Sequence, residues 1–248
     1  MSISSTWQLF GRTVLFALLA GTFSCGPPPM RIPLAVPLSA VGGSRPATPQ
    51  GLQLFSEFGD GVWGQEQERV ELLGVGVGFA LRDRFELSVS GYGPTRADPG
   101  AATTVEVRGK IRIGDFMGGR ASVGIHVASM TAQRERFGVQ DERLTAWDIA
   151  LPLTYYPAGD QFIDHRWGVY VAPRLVFQNF EDRLAGEAIN GTLAAALLGV
   201  VARWRHVALT GEMNIARTPG ISFGNTPSPG GWILLPMASV SVILPVVH

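Results

Sequence analysis

The ten residues VEVRGKIRIG, Val105–Gly114, alternate in character without a break. Val105, Val107, Gly109, Ile111 and Ile113 hold one parity, and Glu106, Arg108, Lys110 and Arg112 hold the other. Successive side chains of a strand point to opposite faces, so this stretch reads as a strand with one apolar face and one face of four charges. The same period recurs along the chain. FELSVSGY sets Phe85, Leu87 and Val89 against Glu86, Ser88 and Ser90, and RASVGIHVAS sets Val123, Ile125 and Val127 against Arg120, Ser122, Gly124 and His126. WDIALPLTY sets Trp147, Ile149, Leu151 and Leu153 against Asp148 and Thr154, and HVALTGEMNI sets Val207, Leu209, Met213 and Ile215 against His206, Thr210, Glu212 and Asn214.

About ten such segments are expected, near 51–59, 69–81, 84–93, 102–114, 119–131, 144–156, 167–178, 191–203, 206–216 and 231–244. Most exceed the usual strand of about five or six residues and match the roughly 9–11 that a tilted membrane-spanning strand needs. Their connections alternate. RDR (Arg82–Arg84), DFMGG (Asp115–Gly119) and WR (Trp204, Arg205) are tight, and PAGDQFIDHR (Pro157–Arg166) is the longer member of that set. Between them lie longer polar links such as AQRERFGVQDER and NFEDRLAGEAIN. Short turns at one end and long links at the other describe an up-and-down barrel, and an even strand count returns both ends to the short-turn side. The stretch GTLAAALLGVVARW (Gly191–Trp204) is apolar on both faces and reads either as a strand or as a helix covering the lumen.

Alternation alone fits two kinds of barrel. In a soluble one the apolar face points in and the charges meet water; in a membrane barrel the faces are reversed. Length, aromatics and glycines favour the membrane. Tyr92, Trp147, Tyr155, Tyr156, Trp167, Phe177, Trp204 and Trp232 fall near strand ends, where interfacial girdles sit. Gly74, Gly76 and Gly78 lie on the polar parity, where a narrow lumen needs small residues. Charged residues make up only 16% of the chain, low for a solvent-covered domain. Past the N-terminal region no unbroken apolar stretch reaches the length of a spanning helix. The balanced charge gives no basic excess for nucleic acid.

TVLFALLAGTFSCG (Thr13–Gly26) follows Arg12 and ends in small residues, the pattern of a secretory signal over residues 1–24. Cys25, the chain's single cysteine, stands at the expected cleavage point and excludes an internal disulfide. Residues 25–50 are rich in proline and read as an extended tether, followed by the barrel domain, 51–248.

These patterns resemble small bacterial outer-membrane β-barrels, and the surroundings of Cys25 resemble the lipobox of bacterial lipoproteins. Phe23 and the absence of leucine three places before the cysteine depart from that lipobox, and simple cleavage after Ser24 is the other reading. The chain ends on His248, where such barrels commonly end on an aromatic residue. The resemblance implies an all-β, up-and-down antiparallel transmembrane barrel of about ten strands (8–12), placed in the outer membrane, with membrane lipid as partner and lipidation at Cys25.

In that geometry Glu86, Glu106, Arg108, Lys110, Arg112, Arg120, His126, Asp148 and Glu212 form a charge network in the lumen, because three cations on one strand cannot stay unpaired in a poorly hydrated interior. Glu86, Glu212 and Asp148 are the expected partners. The network is either structural or a cationic constriction that favours small anionic solutes. No cofactor and no metal are implied, since no His or Cys pair has metal spacing. GISFG (Gly220–Gly224) matches a nucleophile motif by letter but lacks the helix that the motif requires. His126 and Ser129 face opposite sides, and His206 and Glu212 stand about 20 Å apart at strand rise. The expected function is therefore a non-enzymatic outer-membrane barrel, structural or a narrow anion-leaning pore. The alternatives are a secreted, lipid-anchored, lipocalin-like barrel with an apolar ligand and an outer-membrane acyl hydrolase.

Overall fold

The computed structural model describes residues 41–46, 50–63, 68–95, 103–136, 139–157, 165–182, 187–217, 221–223, 226–228 and 232–244. The expected signal segment, residues 1–24, and the expected lipidation site Cys25 lie outside the described residues. Thirteen strands follow in order: β1 (Gly51–Trp63), β2 (Glu68–Leu81), β3 (Phe85–Pro94), β4 (Thr103–Phe116), β5 (Ala121–Arg136), β6 (Val139–Ala150), β7 (Leu153–Tyr155), β8 (His165–Asp182), β9 (Glu187–Trp204), β10 (Val207–Arg217), β11 (Ile221–Phe223), β12 (Thr226–Ser228) and β13 (Trp232–Leu244). Each long strand pairs antiparallel with its sequence neighbours, and β1 pairs with β13, so the sheet closes on itself. With β6 and β7 sharing one position in the wall, the barrel has ten staves. The β11–β12 hairpin stands apart from it.

The expected segments all appear. Gly191–Trp204 is strand rather than helix, paired along its length with β8 and β10. The expected strand near 144–156 is broken after Ala150 because Pro152 has no amide proton for the ladder. The wall stays continuous there: the Leu151 amide donates to the Pro173 carbonyl at 3.1 Å and the Gly124 amide to the Pro152 carbonyl at 3.0 Å. One register shift, between Arg112 and Gly114, marks a bulge in β4 where the strand nears its turn. Arg82 and Asp83, both at positive φ, make the tight β2–β3 turn, whose strand twist such dihedrals match.

The exterior is apolar. Leu54, Phe58, Val75, Leu87, Val105, Ile113, Trp147, Leu198, Val200 and Val240 are all exposed. The charged parity of the same strands is buried: Glu57, Glu86, Glu106, Arg108, Lys110, Asp148 and Glu212 lie inside. Water does not favour a closed wall with hydrocarbon outside and ions inside; lipid does. Trp167, Trp204 and Tyr155 mark the short-turn rim, and Trp147, Phe177 and Trp232 lie toward the other rim, all exposed as girdle residues are. Tyr92 and Tyr156 do not join them. Both are buried on the lumen side, because their parity is that of the polar face.

Glycines on the lumen face make room for large neighbours. A Cβ on Gly74 would meet the Tyr92 ring, one on Gly76 the Phe55 ring, and one on Gly78 the Gln53 amide nitrogen at 2.6 Å. At Gly76 it would also lie 2.6 Å from the backbone carbonyl oxygen of Val89, which an adjacent paired strand cannot withdraw. Gly76→Val is expected to destabilise the refolded barrel by about 1–3 kcal/mol, the usual cost of overpacking. Urea unfolding in detergent measures it, and an unchanged midpoint would mean that Phe55 does not lie across β2.

Candidate functional site: the barrel lumen

Three layers of side chains fill the lumen. At the short-turn rim Arg112 donates to Asp83 at 3.0 Å and stands 3.2 Å from Asp115. In the middle layer Arg108 donates to Glu57 at 2.7 Å and to Ser88 Oγ at 2.8 Å, and its guanidinium lies 4.4 Å from the centre of the Phe55 ring. Tyr92 donates its hydroxyl proton to Glu57 and also stands 2.9 Å from Glu106, which accepts from Ser90 Oγ at 3.3 Å. Across the lumen Arg174 pairs with Asp148 and donates to Asn214 Oδ1 at 3.1 Å. The third layer, toward the long links, has little charge. Met130, Ala132, Leu144, Ala146, Val176, Leu193, Ala195, Ala216 and Leu235 face inward there and are buried.

Eight of the nine expected network residues face the lumen or its rim. Glu86, Glu106, Arg108, Lys110, His126, Asp148 and Glu212 are buried, and Arg112 is partly buried. Glu86 and Lys110 are directly opposite each other on β3 and β4, and Lys110 faces His126 on β5. Arg120 does not belong to the network: it is exposed at the end of the short 3-10 turn after β4, where the chain leaves the wall. His206, on the polar parity of its segment, is likewise exposed in the β9–β10 turn. The partner of Arg108 is Glu57, which was not among the expected partners, and Asp148 serves Arg174 instead of the β4 cations.

The residues that complete the site are Glu57, Tyr92, Tyr170, Arg174 and Asn214, together with a short piece of chain. Glu57 follows Gln53 and Phe55 on the inward parity of β1, a signal that the serine at position 56 on the outer face obscures. Arg174 sits between Pro173 and Leu175, and only parity with Tyr170 and Val176 places it inside.

The short piece of chain is Val41–Pro46. It lies within the barrel. The Gly42 amide donates to Glu212 at 2.8 Å, and Tyr170 donates to the same carboxylate. The Ser44 amide donates to Thr154 Oγ1 at 2.8 Å, and its hydroxyl pairs with that of Ser122. Arg45 donates to Asp115 at 2.8 Å and lies 5.0 Å from the centre of the Tyr156 ring, while Arg166 donates to the Pro46 carbonyl at 3.1 Å. Val41 packs with Ala150, Tyr170, Ala172 and Leu197. Gly42 and Gly43 have positive φ, and a side chain at Gly42 would come within 3.2 Å of the Lys110 ammonium. Beside this segment remains a cavity of about 40 Å³, lined by Arg45, Arg108, Lys110, Arg166 and Arg203 against Glu57 and Glu86. It has room for a few waters.

Similar solved structures are outer-membrane proteins. The chain aligns with a bacterial polysaccharide outer membrane secretin at a TM-score of 0.46 and 9% identity, over 78% of this chain and 65% of that one. It aligns with the translocator domain of autotransporter NalP from Neisseria meningitidis at 0.42 and 12%, over 97% of each chain. With the β domain of the Bordetella autotransporter BrkA the values are 0.42 and 11%, over 79% of this chain and all of that one. At these identities the likeness concerns the fold alone. No protein-family profile and no curated protein matches the sequence.

Proposed function

We propose that this outer-membrane β-barrel is a closed, non-enzymatic integral protein whose lumen is stoppered by its own N-terminal segment. The observation that carries the reading is the placement of Val41–Pro46. Six consecutive residues occupy the lumen at the level of the charge network and bond to β4, β5, β7, β8 and β10. Val41, Ser44 and Arg45 are nearly fully buried there. The cavity of about 40 Å³ beside them has room for a few waters and is too small for a hydrated solute. The buried ion pairs act in this reading as a scaffold that fixes the segment and the facing walls. His126 and Ser129, on opposite faces of β5, supply no acyl-transfer pair.

The expectation of an anion-leaning path has one observation in its favour. The cavity lining carries five cationic side chains and two carboxylates, so any ion that enters from the short-turn rim meets net positive charge. In this reading the path is latent and conducts only when the segment leaves.

The test is a planar-bilayer recording of the refolded full-length chain. Silence over many insertions, with insertion verified by heat-dependent gel mobility, is the expected result. Steady unitary steps from the unmodified chain would refute the closed reading.

A further inference from the structure

The outer surface of the barrel carries a furrow that the lumen does not explain. Residues paired across β5, β7, β8, β9 and β10 form two parallel rows on that surface. The lower row, nearer the short-turn rim, is Ala121, Tyr155, Val169, Val200 and Gly211. The upper row is Leu153, Val171, Leu198 and Met213. Between them Thr154, Tyr170, Gly199 and Glu212 belong to the lumen parity. Side chains of one parity leave the wall on one side only, so the strip between the rows is floored by backbone.

The depression so formed measures about 730 Å³, within the roughly 300–1,000 Å³ of ligand sites. Gly211 opens its inner end: a Cβ there would meet nothing nearer than Val200 Cγ2 at 3.5 Å. Met117, exposed in the β4–β5 turn, borders its outer end. The furrow is slanted. Ala121 begins β5 at the short-turn rim, whereas Met213 lies well inside β10 (Val207–Arg217), about 15 Å above that rim at strand rise and a tilt near 40°. Over four strand spacings the furrow is about 19 Å long. It therefore runs from headgroup level to the middle of a hydrocarbon core about 30 Å thick. One extended acyl chain follows that course.

The mouth of the furrow is cationic. Arg120 is exposed and immediately precedes Ala121, and its carbonyl accepts from the Tyr156 amide at 2.6 Å, which fixes the backbone beside the furrow. The carboxylates of the described turns at this rim, Asp83 and Asp115, are bound to Arg112 and Arg45. The exposed charges that remain there include Arg82, Arg84, Arg120 and Arg205. A guanidinium binds phosphate through parallel hydrogen bonds, and a surplus of cations favours a headgroup of net negative charge. An apolar slot below a cation matches the two ends of such a lipid.

We infer that this face of the barrel binds an anionic phospholipid of the periplasm-facing leaflet, with one acyl chain in the furrow and the phosphate at Arg120. The site does not depend on the stoppered lumen, since every side chain that forms it faces outward.

Native mass spectrometry of the refolded full-length chain tests this. The protein is released from micelles doped with equal amounts of phosphatidylglycerol and phosphatidylcholine of the same chain length. The parent should retain one phosphatidylglycerol, at least about fivefold over phosphatidylcholine. Arg120→Gln should weaken that binding about fivefold, the worth of one cation at an anionic lipid surface, and leave phosphatidylcholine unchanged. Gly211→Leu should lower retention of both lipids with every rim charge in place, because it fills the inner end of the furrow. Leu198→Ala, which lowers the upper row, gives the same readout if that variant does not refold, as judged by heat-dependent gel mobility. Equal retention of the two lipids by the parent, or a preference that Arg120→Gln leaves intact, overturns the phosphate site. Retention that neither furrow variant changes leaves only attraction to the rim and overturns the acyl slot. A dimer that Gly211→Leu dissolves would assign the face to a second copy of the chain and overturn the lipid.

Discussion

Asp148→Asn is expected to lower the unfolding free energy of the barrel by about 3–5 kcal/mol, the range for breaking a buried ion pair from one side. Both members of the Asp148–Arg174 pair have side chains that are 0% exposed. The two residues are neighbours in the wall, Asp148 on β6 and Arg174 on β8, with Arg174 also reaching Asn214 on β10. The pair therefore ties three staves together at mid-height. Removing the carboxylate's charge leaves a guanidinium with a neutral partner where water cannot easily reach it, and that uncompensated charge accounts for most of the loss. Removing both charges together should cost much less. Asp148→Leu with Arg174→Met is expected to recover the greater part of the stability, because apolar side chains of similar volume need no partner. Urea unfolding of refolded protein in lipid gives both values. A single variant within about 1 kcal/mol of the parent would mean that the pair is hydrated and that the middle layer is wet.

Much of this arrangement is legible in the sequence because strand parity is a strict code. Glu106, Arg108 and Lys110 had to share a face, and once the exterior is lipid that face is the lumen. The alternation of short and long connections gave the topology and the even stave number, since each antiparallel neighbour follows from one reversal of the chain. Partner choice was less legible. Glu57 and Arg108 are separated by β2 and β3 in the wall, and Glu57 reaches Arg108 across the glycine face of β2 that Gly74, Gly76 and Gly78 leave open. Such a contact depends on register around a closed ring, which no local pattern encodes. Parity also fails where strands end. Arg120 follows the polar parity of β5 but belongs to a turn. For Tyr92 and Tyr156 it is position that misleads: they look like girdle residues near strand ends, yet lie inside as their parity requires. Residues 41–46 were legible only as an extended tether. Their glycines suit a close approach to Lys110 and Thr154, but nothing in their composition says that the wall surrounds them.

Deleting residues 26–46 should turn a silent barrel into a conducting one. The deletion removes the amide that Gly42 gives to Glu212, both Ser44 bonds, the Arg45–Asp115 ion pair and the carbonyl that accepts from Arg166. The stave wall is untouched, because β1 begins at Gly51 and its pairing with β2 and β13 does not involve the segment. The groups left behind are ions and hydroxyls that water can satisfy, so the vacated lower lumen should fill with water and remain folded. Heat-dependent gel mobility verifies that fold before recording. Discrete conductance steps are then expected in planar bilayers where the full chain gives none. The remaining wall around the cavity carries Arg108, Lys110, Arg166 and Arg203 against Glu57 and Glu86, so the reversal potential in a salt gradient should lean toward the anion. Adding Lys110→Glu, which changes the charge of that ring by two, should move it toward the cation. A folded deletion variant that stays silent would show that the wall side chains close the lumen unaided, and the segment would then be ballast in the lumen rather than its stopper.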